Sequence, residues 1–482
     1  MRSFDAPLLT PAMPEIVLAV LSMILLIAGV AGKRENYALV SGAAIATLAG
    51  VGALVAGMAG ASAVTFSGMF VADGFGAYVK VLVLAGGILS LLLATGYARR
   101  EGMDKPEYPV LVLMSTLGMM LMVSATDLIS LYMAIELQSL PLYVLASFRR
   151  DDARASEAGL KYFILGALSS GMLLYGMSLI YGFSGSTNFD EIAGTVAAQP
   201  AVAAGLIVGL VLLLTGLAFK ISAVPFHMWA PDVYEGAPTP VTAFFAIAPK
   251  VAAIALIARV LMDPFAGMEN EWRQVIIALS VLSMLIGAVG AVLQSNIKRL
   301  LAYSSIGHMG YALVGLAAAG VMGVQAVLVY ITLYMVMSAG VFAVVLRMKR
   351  QGVMVENISD LAGVSKQQPM LAFIMAALMF SMAGIPPLAG FFGKLLVFKA
   401  AVGAGLYPLA IFGVLTSVVA AYYYLRVIKV MYFDDAAPAL DQGKDMGLSL
   451  VLKASALVVL LFIVWPSPIM DAAAVAAQAL MR

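Results

Sequence analysis

The sequence predicts an all-α polytopic membrane protein of about 14 transmembrane helices, built as two inverted five-helix repeats with helices 7 and 12 discontinuous. Three observations carry this expectation. Of 482 residues, 63% are apolar and 11% charged, whereas a soluble domain has about 25% charged residues and needs polar surface to cover its core. Apolar stretches near the roughly 20 residues of one span recur along the whole chain. Two of them are too long for one straight helix and carry proline inside.

In order, the spans read as 14–31, 37–59, 77–97, 108–124, 127–147, 156–182, 201–235 (interrupted), 240–262, 274–293, 301–319, 323–347, 370–400 (interrupted), 406–431 and 448–466. The first is too long for a signal-peptide core, and Lys33-Arg34 follows it directly, as at the cytoplasmic end of a retained helix. No period-2 polar alternation runs through these stretches, which rules against an outer-membrane barrel. They group as helices 1–3 (1–105), repeat one with helices 4–8 (106–265), repeat two with helices 9–13 (266–433), and a C-terminal loop with helix 14 (434–482). Net charge is only +2, which leaves no nucleic-acid footprint. There is no Cys, and the two His are His227 and His308. Thiolate metal sites and ordinary iron–sulfur clusters are therefore absent, and the chain is read as having no redox centre or cofactor of its own.

Orientation follows from the basic residues. Loops after odd-numbered spans hold Lys33, Arg34, Arg99, Arg100, Lys105, Arg149, Arg150, Arg154, Lys298, Arg299, Arg347, Lys349, Arg350, Lys366, Arg426, Lys429 and Lys444. The termini and the other loops hold Arg2, Arg273 and Arg482. The positive-inside rule then puts the basic loops in the cytoplasm and both termini outside.

Charges at bilayer depth each cost roughly 2.5–3.5 kcal/mol on insertion scales and tend to mark ion routes. Lys161 and Lys453 sit near span ends, and Lys80, Arg259 and Lys399 lie within a turn or two of one, so a structural or snorkelling role is expected. Asp127 starts the fifth span as a helix N-cap. Glu136, Lys220, Lys250 and Lys394 do not fit that reading. Glu136 lies about 13 Å into its span at roughly 1.5 Å per residue, and Lys250 lies near the midplane. Lys220 precedes Pro225, and Lys394 follows Pro386-Pro387, in the two interrupted segments.

Proline removes a backbone hydrogen bond, and broken helices at membrane depth survive only inside protein or beside a wet cavity. The two broken segments lie five spans apart, so the duplicated units must have opposite topology, a transporter signature. A buried Lys can load and release a proton, and a carboxylate near it changes its proton affinity. Glu136 and Lys220 are read as such a switch, with His308 as a relay between the halves. The competing reading of these charges is a set of fixed ion pairs that hold the bundle together.

Specific motifs point further. The run 131–146 contains Glu136-Leu137-Gln138-Ser139-Leu140-Pro141. Others are Glu157-Ala158-Gly159-Leu160-Lys161-Tyr162-Phe163, the run 219–236 with Lys220, Pro225, His227, Trp229 and Pro231, and the run 296–311 with Lys298-Arg299 and His308. Together they resemble the antiporter-like subunits of respiratory complex I, the NADH–quinone oxidoreductase, over essentially the whole chain. Among the three such subunits, the Glu136–Pro141 stretch, Lys394 in helix 12 and the ending at Lys429 to Phe433 are similar to subunit N.

The resemblance implies a proton-translocating subunit whose channel residues map onto Glu136, Lys220, Lys250 and Lys394, driven by quinone reduction elsewhere. It implies that NADH, FMN, iron–sulfur clusters and quinone are bound by other subunits. It also implies subunits K and M as neighbours and a bacterial inner membrane as the place. Two alternatives stand beside it: a subunit of a multi-subunit sodium/proton antiporter or membrane-bound hydrogenase, and a structural arm subunit that moves no protons.

Overall fold

A computed structural model describes residues 8–31, 36–198, 202–443 and 445–481. Of the residues used for orientation, Arg2, Lys33, Arg34, Lys444 and Arg482 lie outside the described residues. The first spans are α1 (Met13–Ala31), α2 (Tyr37–Met58) and α3 (Gly74–Arg100), with an antiparallel hairpin of β1 (Ala63–Thr65) and β2 (Phe70–Ala72) before α3. Then come α4 (Glu107–Ser124), α5 (Leu128–Ala146), α6 (Ala153–Ser184) and α7 (Phe189–Ala198). Segment seven is α8 (Ala204–Lys220) plus α9 (Trp229–Gly236), followed by α10 (Thr239–Met262), α11 (Glu269–Val292), α12 (Ile297–Ala318) and α13 (Gly320–Val345). A second hairpin, β3 (Lys349–Arg350) with β4 (Val353–Met354), leads to α14 (Val364–Gln367). Segment twelve is α15 (Pro369–Ala383) plus α16 (Ala389–Gly403), and α17 (Tyr407–Phe433), α18 (Met446–Leu461) and α19 (Ser467–Leu480) complete the chain.

Among the described residues, eleven helices are long and apolar enough to cross a membrane, and α8, α15 and α18 are shorter apolar helices in the three remaining expected spans. The two hairpins and the helices α7 and α19 were not expected. α7 forms because Phe189, Ile192 and Val196 bury one side while Asp190 and Glu191 complement the dipole in its first turn. The Ala-rich tail becomes α19 because Ala473, Ala476, Ala477 and Leu480 recur at helical spacing and bury a stripe.

Burial divides the helices by role. Every residue of α10 is buried, and the most apolar windows of α12 and α13 are 94% buried, so these three form the centre. α10 is mostly apolar around its circumference, as a fully enclosed helix tends to be, and its buried Lys250 and Arg259 find polar partners inside the chain. α1, α6 and α17 keep broad apolar faces outward, including Ile27, Phe163, Tyr175, Ile411 and Val418.

Both expected breaks are present. α8 stops at Lys220 and helix resumes at Trp229; α15 stops at Ala383 and helix resumes at Ala389. The freed polar groups are capped from inside. Val224 N–H donates to Ser283 Oγ at 2.9 Å, and the Trp229 indole N–H donates to the Phe219 carbonyl at 3.1 Å. Gly390 N–H donates to Ser381 Oγ at 2.9 Å, and Gly390 has no side chain because a Cβ there would collide with the Ser381 carbonyl. Gly384 ends α15 with φ of 87°, where a side chain would be strained.

Several span-end charges take a firmer role than snorkelling. Lys80 is 4% exposed and pairs with Glu15 of α1 at 2.7 Å. Arg259, 3% exposed, pairs with Asp73 at 2.8 Å and donates from Nε to the Val123 carbonyl at 2.7 Å. These cations are too deep for their heads to reach water, so they are neutralised by carboxylates on α1 and before α3. Lys399 and Lys453 remain exposed. Asp127 does cap α5, accepting from Ile129 N–H at 2.8 Å. Gly166, Ser169 and Ser170 of α6 serve contacts within the chain: Gly166 makes room for the Tyr143 ring, and Ser169 Oγ donates to the Gly216 carbonyl at 3.4 Å.

Candidate functional site

The break in segment seven delivers Lys220 at the last residue of α8, 7% exposed. Its ammonium donates to Ser139 Oγ on α5 at 2.6 Å. Glu136 lies three residues before Ser139 and accepts from Ser170 Oγ of α6 at 2.5 Å. No ion pair joins Glu136 to Lys220, and the Ser139 hydroxyl that accepts from Lys220 itself donates to the Ile135 carbonyl at 2.6 Å. Glu136 is only partly covered, beside the exposed side chains of Met133 and Leu140.

Lys250, 1% exposed on α10, donates to Ser222 Oγ in the break at 2.7 Å and to Ser305 Oγ of α12 at 2.5 Å. Ser305 in turn bonds the Tyr334 hydroxyl of α13 at 2.6 Å. His308 lies one turn beyond Ser305, with Nδ1 2.7 Å from the Tyr330 hydroxyl and Nε2 3.0 Å from the Tyr424 hydroxyl. Tyr424 also bonds Ser304 Oγ at 2.5 Å. Lys394 of α16 donates to the Ala383 carbonyl at the second break at 2.9 Å and to Ser417 Oγ at 2.7 Å, with its ammonium 4.7 Å from the Tyr311 ring centre. His308 and Lys394 line one narrow internal pocket together with Tyr311 and Tyr424.

Three central lysines are thus held by hydroxyls and a carbonyl, and none forms an ion pair within the described residues. An ammonium in this setting keeps its charge through hydrogen bonds and the ring faces beside it. Lys250 and Lys394 have no carboxylate beside them to lock them in the charged form, whereas Lys220 has Glu136 close by on α5 without an ion pair to it. Between the Ser139–Lys220 group and the Ser222–Lys250–Ser305–Tyr334 group no direct hydrogen bond runs, nor does one join Tyr334 to His308, whose ring centres are 5.1 Å apart.

Sequence reasoning named all five ionisable residues but not their partners. Ser139, Ser222 and Ser305 were legible, each standing within three residues of a named charge or His308. Tyr330, Tyr334 and Tyr424 carried no signal, because a tyrosine in an apolar span reads as packing.

At the basic end, a group of carboxylates ties the helices together through ion pairs. Asp232 of α9 meets Lys161 at 2.8 Å and Arg299 at 2.7 Å, and Glu235 meets Arg299 at 3.1 Å and Arg154 at 3.2 Å. The second half of segment seven is thereby tied to α6 and α12. Glu356, in the loop after β4, pairs with Lys298 at 3.0 Å. Burial works against its ionisation, but Lys298, the Asn296 amide and Arg154 outweigh burial and hold its carboxyl below the usual range. This contribution is present at neutral pH and is lost as pH falls through the lowered value.

Residues 125–420 match the family model for the membrane part of the NADH:quinone oxidoreductase/Mrp antiporter family. NADH-quinone oxidoreductase subunit N of Rhodospirillum rubrum is 55% identical over 481 residues, covering 99% of each chain. Its counterpart from Parvibaculum lavamentivorans is 58% identical over 475 residues, covering 98% of each. The chain belongs to the NADH-quinone oxidoreductase subunit N family. Among solved structures, a chain of respiratory complex I from Thermus thermophilus superposes with a TM-score of 0.81 at 32% identity, over 96% of this chain and 99% of that one. A chain of the Mrp complex from Dietzia sp. shares the fold with a TM-score of 0.85 at 22% identity, over 98% of this chain and 100% of that one. As a subunit N, the chain is an antiporter-like membrane subunit of complex I. It has no Cys, and the described residues hold no cluster of three or more His, Cys, Asp or Glu suited to a metal ion.

Proposed function

We propose that this subunit moves protons along Glu136, Lys220, Lys250, His308 and Lys394, driven by quinone reduction elsewhere in complex I. The observation that carries the reading is the set of three buried lysines bonded to hydroxyls and carrying no ion pair. In a purely structural arm, buried cations are neutralised, as Lys80 and Arg259 are here. The free lysines instead sit at the two breaks or against them. Ser222 links the first break directly to Lys250, so a shift of that segment changes what holds the Lys250 proton. Water bridges the gaps between the hydrogen-bonded groups when protons pass.

On this reading the five-helix units are α4–α10 and α11–α17, related by inverted topology. NADH, FMN, iron–sulfur clusters and quinone belong to other subunits. The partly covered Glu136 face is closed by a sister subunit, with K and M as the expected neighbours. The place is the bacterial inner membrane, with both termini periplasmic.

The test of transport compares pumping with assembly in Lys220→Ala: an assembled complex that no longer pumps supports the reading, and one that pumps normally overturns it. Orientation has its own test. A cysteine introduced near Arg482 is expected to react with a membrane-impermeant thiol reagent in intact cells, and one near Arg149 is not. The opposite labelling pattern reverses the assigned topology.

A further inference from the structure

We propose that the groove between α15 and α18, at the basic end of the bundle, binds an anionic phospholipid. The groove has a volume of about 490 Å³. Arg347, just past the end of α13, and Lys453 of α18 supply its two cations, and Leu371, Ile374 and Leu452 form a buried apolar floor with Met370 exposed at the rim. No carboxylate lines it.

Among the described residues, neither cation has a counter-charge. Arg347 donates from Nη2 to Ser449 Oγ at 2.5 Å, but its Nε is buried and has no acceptor. Lys453 is exposed and forms no ion pair among the described residues. It stands seven residues after the start of α18, which is about 10 Å along the helix axis at roughly 1.5 Å per residue. Four other cations at this end, Arg154, Lys161, Lys298 and Arg299, each meet a carboxylate. In the neighbouring groove beside α2, by contrast, a carboxylate is present in the lining, and Arg100 faces that Asp445 at 3.9 Å.

A phosphodiester supplies what is missing. Its oxygens accept from the Arg347 guanidinium, and the Lys453 ammonium reaches up along its stem to the same headgroup. One acyl chain then covers the apolar floor. A free phosphate satisfies the cations but leaves the floor bare. On the orientation proposed above, the groove opens to the cytoplasmic leaflet, whose anionic lipids are drawn to basic pockets between helices.

The experiment uses the whole purified complex, delipidated in detergent, and a phosphatidylglycerol carrying a photoreactive diazirine in one acyl chain. Mass spectrometry of the digested subunit is expected to find label on the segments 369–374 and 449–453. Unlabelled phosphatidylglycerol should displace it, while phosphatidylcholine and inorganic phosphate should not. Arg347→Gln with Lys453→Gln should weaken binding about thirtyfold, roughly fivefold for each cation near the surface. Absence of label in these segments, equal displacement by phosphatidylcholine, displacement by phosphate alone, or cross-links from the groove to a neighbouring subunit would each overturn the proposal. If the double variant fails to assemble, the wild-type competition series decides.

Discussion

Arg259→Met is expected to lower the amount of assembled complex sharply while leaving the activity of each assembled complex near wild type. Arg259 holds Asp73 through two hydrogen bonds of 3.0 and 2.8 Å and satisfies the Val123 carbonyl besides. Removing the cation leaves a largely buried carboxylate with one remaining backbone donor, Gly76 N–H at 2.6 Å. Breaking one side of a buried pair typically costs about 3–5 kcal/mol, a large part of the stability of a folded unit. Adding Asp73→Asn should recover most of the loss, because the uncompensated charge goes with it. The measurement is complex abundance on a native gel, with NADH–quinone activity per assembled complex. An Arg259→Met complex present at full abundance would show that this pair does not hold the helices together.

Lys250→Met is expected to behave in the opposite way, with assembly retained and pumping lost. Methionine is close to lysine in length and needs no counter-charge on the fully buried α10. The two serines it abandons keep other partners: Ser222 Oγ donates to the Ile221 carbonyl at 2.6 Å, and Ser305 stays bonded to Tyr334. Proton transfer through the centre loses its acid–base group, and such groups contribute roughly 10²- to 10⁴-fold. Lys250→Arg separates charge from chemistry. It keeps a cation at the midplane, but a guanidinium does not give up its proton, so pumping should fail there too. Normal pumping by the Arg variant would show that Lys250 acts only as a fixed charge.

Much of this arrangement is legible in the chain. The spans and both breaks follow from apolar stretches and from Pro225, Pro386 and Pro387, because proline and the hydrocarbon core constrain a backbone more strictly than packing does. Glu136, Lys220, Lys250 and Lys394 stand out because charge at that depth is costly and rare. What escapes is the pairing. Glu15 and Asp73 reach Lys80 and Arg259 across 65 or more residues of chain, and no local pattern connects them. The three tyrosines around His308 and Ser305 are hidden for a related reason: their hydroxyls become polar partners only once α12, α13 and α17 are brought together. The helix α19 was missed because alanine gives a weak apolar signal, although its spacing is helical.

That Glu136 and Lys220 bond to different serines, Ser170 and Ser139, and not to each other bears on the central claim. A fixed ion pair would make Lys220→Ala harm assembly as much as activity, since Glu136 would be left buried and charged. In the arrangement seen here Glu136 has its own donor in Ser170, so it keeps a hydrogen-bond partner when Lys220 is removed. The decisive measurement is proton pumping and NADH–quinone activity in membranes carrying Lys220→Ala, normalised to assembled complex on a native gel, with Glu136→Ala and Glu136→Asp alongside. The account predicts assembled Lys220→Ala and Glu136→Ala complexes with strongly reduced proton-coupled quinone reduction, and a milder loss for Glu136→Asp, which keeps a carboxylate one methylene shorter. Wild-type pumping by an assembled Lys220→Ala complex would contradict it.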